Sequence, residues 1–150
     1  MAIQGSCLCG TLRYEVDGPF TAMLNCHCSM CRKQHGAPFV TIAAADLAAF
    51  RWLSGEDALG YYASSPNGKR SFCTVCGSPA PFLLQEAGLA LVPAGALDGD
   101  PEIRIQAHMF VGSKAPWHTI SDSLPQHEAY PPEFGAAAPA PRPSVTAEPG

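Results

Sequence analysis

Alternation of apolar and polar residues sets the first reading of this chain. Gly10-Thr11-Leu12-Arg13-Tyr14-Glu15-Val16 changes side at every residue, the period of a half-buried strand, and Asp17-Gly18-Pro19 closes it as a turn. Phe20 to Asn25 continues as extended chain. Phe39 to Ala43, Phe50 to Leu53, Ala58 to Ala63, Pro81 to Gln85, Leu89 to Val92 and Arg104 to Val111 repeat strand character in short lengths. Ser65-Pro66-Asn67-Gly68 predicts a hairpin tip, because Asn-Gly accepts the positive φ angles of tight hairpins. Helical character is confined to Ser29 to His35, which Gly36 and Pro38 stop, and to a single turn within Ala44 to Ala49. Many short strands punctuated by turns predict a mainly β fold.

Composition narrows this. With 150 residues the simplest organisation is one domain with a modest core. Residues 135–150 are alanine- and proline-rich with almost no large apolar group; they cannot bury enough surface to offset their ordering entropy. The expected division is a folded domain over 1–134 and a disordered tail over 135–150. A formal charge of −4 argues against a nucleic-acid partner, which calls for a basic face; Arg32-Lys33 and Lys69-Arg70 are local positive spots. The N-terminus has neither a basic nor an apolar signal region, and no apolar run reaches the ~18–20 residues of a membrane span. The expectation is a cytoplasmic protein without a membrane partner.

The seven cysteines then change the picture. In a reducing compartment clustered thiols are ligands or catalysts more often than disulfides, and an odd number divides into four and three. Cys7-Leu8-Cys9 projects two thiols to one side of an extended segment. Cys73-Thr74-Val75-Cys76 is a metal-binding turn, and Gly77 suits its tight backbone. Each pair is half a tetrahedral zinc site; together they form a four-thiolate site that closes a long loop, so that binding energy is folding energy.

Cys26, Cys28 and Cys31 make up the second group. Three protein ligands and an exchangeable fourth position form the pattern of a catalytic zinc. A histidine as fourth ligand, with His27, His35 and His108 as candidates, would instead close the site. A third reading makes Cys28-x-x-Cys31 a redox couple, although the βαβ context of a thioredoxin-like motif is missing.

Three motifs carry a resemblance: Gly5-Ser6-Cys7-Leu8-Cys9-Gly10, then Cys26-His27-Cys28-Ser29-Met30-Cys31-Arg32-Lys33 with Gly36-Ala37-Pro38-Phe39, then Phe72-Cys73-Thr74-Val75-Cys76-Gly77. With His108 to Trp117, Asp122 and Leu124-Pro125, they make residues 3 to 133 resemble the glutathione-dependent formaldehyde-activating enzyme family, also called the centromere protein V family. The resemblance implies a β-tent fold of small antiparallel sheets around zinc. It implies two zincs per chain, a structural one on Cys7, Cys9, Cys73 and Cys76 and a labile, catalytic one on Cys26, Cys28 and Cys31. It also implies carbon–sulfur lyase activity between glutathione and formaldehyde. Fold and site transfer with such a resemblance better than substrate does.

On this reading the partners are a small thiol and a small aldehyde. His27 is the first candidate for a proton shuttle, because its ring titrates near neutrality; hydrogen bonding to backbone is its alternative role. Arg32 and Lys33 are candidates for the glutathione carboxylates, Arg32 ahead for its bidentate guanidinium. His108 is expected as a satisfied core histidine, Lys114 as exposed, Trp117 as cover for the core, and Asp122 as an anchor for backbone N–H groups. The competing class is a non-catalytic zinc-scaffolded binding module or a thiol-based metal or redox sensor.

Overall fold

The structure, a computed structural model, describes residues 1–66 and 68–134. Among the described residues, ten short strands form three sheets, accompanied by one short α-helix. β1 (Ile3–Ser6), β2 (Arg13–Val16) and β5 (Phe50–Ser54) form the first sheet, in the order β1-β2-β5. β6 (Leu59–Ser65) and β7 (Gly68–Cys73) form a hairpin. The central sheet has the order β10-β3-β4-β9-β8. Its strands are β3 (Phe20–Cys26), β4 (Val40–Asp46), β8 (Phe82–Leu84), β9 (Leu89–Pro93) and β10 (Ala107–Met109). The helix, α1, spans Ser29–His35 and ends at Gly36, whose φ of 58° is the left-handed C-cap conformation. Among the described residues no helix is long and apolar enough to cross a membrane.

The mainly β architecture of small sheets matches expectation, with local differences. Pairing is antiparallel except between β10 and β3, which run parallel. A parallel neighbour needs a crossover rather than a hairpin, and here the chain from Pro93 to Gln106 supplies it. β1 had no strand signal, because Ile3-Gln4-Gly5-Ser6 offers one large apolar residue. Its glycine is a packing requirement: a Cβ on Gly5 would stand 2.4 Å from the Tyr14 ring. Gly10 to Leu12 turns rather than extending β2, and Ala44 to Asp46 stay in β4, leaving Leu47–Ala49 as the 3₁₀ turn. Arg104 to Gln106 lie outside β10. Asn67, the predicted hairpin residue, and the predicted tail over 135–150 lie outside the described residues.

The central sheet separates two environments. Met23, Ala43, Ala45 and Val92 point into the main core with Tyr14, Val16 and Phe20. Tyr14, 1% exposed, anchors it by stacking on Phe50 at 5.5 Å between ring centroids, with its hydroxyl directed at the Ala96 carbonyl. The intervening residues, Leu24, Cys26, Val40, Ile42, Ala44 and Leu91, face the other way, into a cavity. Period-two alternation thus delivers Cys26 to the cavity side of the sheet.

Candidate metal centres and the adjoining cavity

The sulfurs of Cys7, Cys9, Cys73 and Cys76 lie within 4.8 Å of one another. Two turns carry them, and each turn is followed by a glycine with φ near +78°, Gly10 and Gly77. The Leu8 amide donates to the Ser78 hydroxyl at 3.1 Å, which joins the turns directly. Cys9 and Cys73 sulfurs stand 3.9 Å apart across 64 residues of chain. Hydrogen bonds favour the charged form that a metal takes up: the Ser78 hydroxyl holds the Cys76 thiol down at about 5, and Thr11 lowers Cys9. Burial raises Cys7. Four convergent thiols beside Leu12 and Ala80 fit a closed tetrahedral zinc site.

Cys26, Cys28 and Cys31 form the second group, again within 4.8 Å and all buried. Cys26 ends β3. Cys28 is the N-cap of α1, its sulfur accepting from the Cys31 amide at 3.3 Å. One cysteine therefore both starts the helix and offers a ligand. Contacts from Cys26 and Cys31 hold the Cys28 thiol well below the ordinary thiol range, and the same contacts raise Cys26. Among the described residues, no histidine or carboxylate joins these three sulfurs within the same radius. The donor set fits zinc with three protein ligands.

Arg70 completes this environment. From β7 its guanidinium Nη1 donates to the Cys31 sulfur and to Gln34 Oε1, both at 3.3 Å, and Nε donates to Ser64 Oγ at 3.3 Å. Sequence reasoning noted Arg70 only as a positive spot; its place in β7, three residues before Cys73, was the available signal. The trio and Arg70 line a cavity of about 380 Å³, and His35 also lines it. A second hollow adjoins it at Met30, Gln34, Ser64 and Arg70, and extends to Lys33 and Tyr62.

His27 does not face this cavity. Its ring is fully buried beyond the trio, against Phe39 at 5.0 Å between centroids. His27 Nε2 lies 2.8 Å from His108 Nδ1, and His108 Nε2 lies 3.0 Å from an Asp122 oxygen. The Asp122 carboxylate accepts, so the tautomers follow in series: His108 donates from Nε2 and accepts at Nδ1, and His27 donates from Nε2. His27 Nδ1 is then a buried lone pair with no partner. Burial, and next the neighbouring His108, hold His27 down to about 4, so the ring is neutral at physiological pH. The ring bonds a second histidine rather than backbone.

The remaining candidates divide. Arg32 lines neither hollow; its Nε donates to the His27 carbonyl at 3.4 Å, bracing the loop between Cys26 and Cys28. Lys33 is exposed at the rim of the second hollow. His108, 2% exposed, is the satisfied core histidine expected, and Asp122 accepts from the Leu124 amide at 3.0 Å as predicted. Lys114 is half-buried, with Nζ donating to the His118 carbonyl, rather than exposed. Trp117 is 70% exposed and does not cover the core; Ala115, fully buried two residues earlier, takes that place.

Comparison with known proteins agrees with this geometry. A family profile described as "Glutathione-dependent formaldehyde-activating enzyme" matches residues 2–113. A Halomonas elongata protein named "Putative glutathione-dependent formaldehyde-activating enzyme" is 30% identical over 129 residues, covering 80% of this chain and 82% of that protein. An "Uncharacterized lyase" of Schizosaccharomyces pombe is 29% identical over 79 residues, 53% of this chain and 56% of its own length. A Rhodobacter sphaeroides protein of known crystal structure superposes with a TM-score of 0.54 at 29% identity, covering 65% of this chain and 89% of that one.

Proposed function

The chain belongs to the glutathione-dependent formaldehyde-activating enzyme family, and on that premise we propose that it is a carbon–sulfur lyase with two zinc sites. The reaction joins glutathione, or a similar thiol, to a small aldehyde, and runs in reverse. The new bond is between sulfur and the carbonyl carbon, the C=O π bond opens, and the thiol proton ends on the resulting oxygen. No oxidant or reductant is consumed.

The observation that carries this reading is the convergence of Cys26, Cys28 and Cys31 in the wall of a cavity large enough for a small molecule. A zinc ion held by these three residues would supply a Lewis-acidic centre that favours the ionised thiol. Cys7, Cys9, Cys73 and Cys76 would hold the structural metal. Ionisation is a modest part of the gain. A thiol of pKa ~8.5 is a few per cent thiolate at neutral pH, so full ionisation is worth roughly thirtyfold, or ~2 kcal/mol. The larger share comes from holding thiol and aldehyde together, where effective molarities are high.

Positioning is the work of the chain. Lys33 and Arg70, on the second hollow, suit the carboxylates of glutathione, with its thiol directed past Met30 toward the trio. Arg32 keeps a structural part, holding the His27 carbonyl. His35 lines the cavity, and burial, with Arg70 next, lowers its pKa. A neutral imidazole there can take the thiol proton and return it to the new oxygen. His27 supports the ligand loop from behind rather than moving that proton.

The test is metal content followed by titration. Cobalt-substituted protein should carry two metals per chain, and glutathione should perturb the spectrum of one. Two metals that are both indifferent to glutathione would remove the proposal.

A further inference from the structure

The cavity beside the trio is far more apolar than its reaction with formaldehyde and glutathione calls for. Away from the thiols its walls are Leu24, Ile42, Phe82, Leu84 and Leu91, with Tyr130 near the trio. These wall residues come from alternate positions of β3, β4, β8 and β9, so one whole face of the central sheet is turned to the cavity. Gln34, His35, Ser64, Lys69, Arg70 and Glu133 supply polar groups to the same cavity, with Arg70 held against Cys31. Formaldehyde has two heavy atoms and no apolar chain, whereas about 380 Å³ holds on the order of ten water-sized groups at ~30 Å³ each. Glutathione, with two carboxylates and an ammonium, has no partners on the aliphatic walls and a better place in the hollow at Lys33 and Arg70.

We propose that the carbonyl substrate is a medium-length aliphatic aldehyde whose hydrocarbon chain lies on this sheet face while its carbonyl meets the thiol at the trio. This rests on the reading of the site as a thiol–aldehyde enzyme, and it replaces formaldehyde as the preferred partner. The chemical step is unchanged: the C–S bond forms, the carbonyl π bond opens, and the thiol proton passes to oxygen. Burial of the chain supplies binding that formaldehyde cannot, at about fourfold per fully buried methylene. Two other occupants of the face fit less well. Residues 135–150 contain no aromatic residue and a single valine as their only large aliphatic group. A second copy would have to cover a cavity that Cys26, Cys28 and Cys31 themselves line.

The test uses the full-length, zinc-loaded chain with glutathione and straight-chain aldehydes from formaldehyde to octanal, with hemithioacetal formation followed above the uncatalysed rate. The matching alcohols, which cannot react, are titrated alongside by calorimetry. The expected result is a kcat/KM that climbs about two- to fourfold per methylene until the cavity is full, with alcohol affinity climbing in parallel. Ile42→Trp should shift the optimum to a shorter chain, and Leu91→Gln should flatten the series in both assays. Turnover that is best with formaldehyde and flat with chain length would overturn the proposal and leave the thiol–aldehyde reading standing. Alcohol binding without turnover of any aldehyde would overturn both. Binding seen only after removal of residues 135–150, or only below the concentration at which the chain dimerises, would assign the face to the tail or to a second copy instead.

Discussion

The Arg70 guanidinium donates to the Cys31 sulfur at 3.3 Å, and the strand that carries it places Cys73 in the other thiol cluster three residues later. In β7 Arg70 turns toward the trio, while Ser71 and Cys73 of the same strand are buried. One hairpin strand thus connects the four-thiol group to the three-thiol group. Folding around the first positions the principal cation of the second.

Arg70 should therefore tune the trio without holding the fold. Partners of metal ligands outside the coordination sphere typically contribute 10–100-fold in metal affinity. Arg70→Gln is expected to lose about tenfold or more in zinc affinity at the trio, read by competition with a chromophoric chelator, while far-UV circular dichroism is unchanged. Arg70→Lys should restore little, because an ammonium cannot reach Cys31, Gln34 and Ser64 from one planar group. Full affinity in Arg70→Gln would separate this residue from the metal.

The hydrogen-bonded chain from the exposed Asp122 through the buried His108 to His27 gives a second expectation, with a pH sign. The Leu124 amide, and then His108, hold the Asp122 carboxyl below the usual carboxylate range. A depressed folded-state pKa contributes stability that is complete above the unfolded value of ~3.9 and is lost as pH falls through the folded value. The stability difference between the native chain and Asp122→Asn should be constant above about pH 5 and shrink in acid. His108→Ala should be worse at every pH, because His27 would then have both ring nitrogens unpartnered; about 1–3 kcal/mol is the expected cost. Denaturant melts of both variants between neutral and acid pH check the two signs.

How far these features were legible in the sequence depends on the range of the interaction. The thiol spacings, the helix from Ser29 to His35 and its stop at Gly36 are local, and reading them needs only neighbours in the chain. The pairing of residues 24–26 with 107–109 is not local: β10 returns parallel to β3 after a long crossover. That return puts His108 against His27, and nothing between the two residues announces it. Arg70 was missed for the same reason, since its partner Cys31 is 39 positions away. The short apolar stretches of β3, β4 and β9 did read as extended chain, yet they gave no sign that one apolar face would border a cavity rather than a second packed layer.

Trp117 illustrates the limit of composition. A tryptophan after Ala-Pro reads as core, but the ring is 70% exposed and meets His118 edge-on, at 6.4 Å between centroids. Trp117→Ala should change stability by no more than about 0.5 kcal/mol, the ordinary range for surface positions. Ala115→Leu, two residues away at a fully buried site, should cost about 1–3 kcal/mol by overpacking. Thermal melts of the two variants would reverse in rank if the tryptophan carried packing after all.

The sharpest expectation separates the two thiol groups. Metal binding to a four-thiolate structural site is worth on the order of 10–16 kcal/mol, comparable with the whole net stability of a domain, ~5–15 kcal/mol. Removing one of its ligands therefore threatens the fold itself. Cys76→Ser is expected to give insoluble or unfolded protein. Cys28→Ser removes a ligand from the trio and the sulfur that caps α1, but a serine hydroxyl is itself a good N-cap, so the helix start survives. That variant should stay folded, bind one zinc fewer and lose thiol-dependent turnover. Metal per chain and the melting curve decide the matter together: equal losses of stability from both substitutions would mean that the two sites share one structural task.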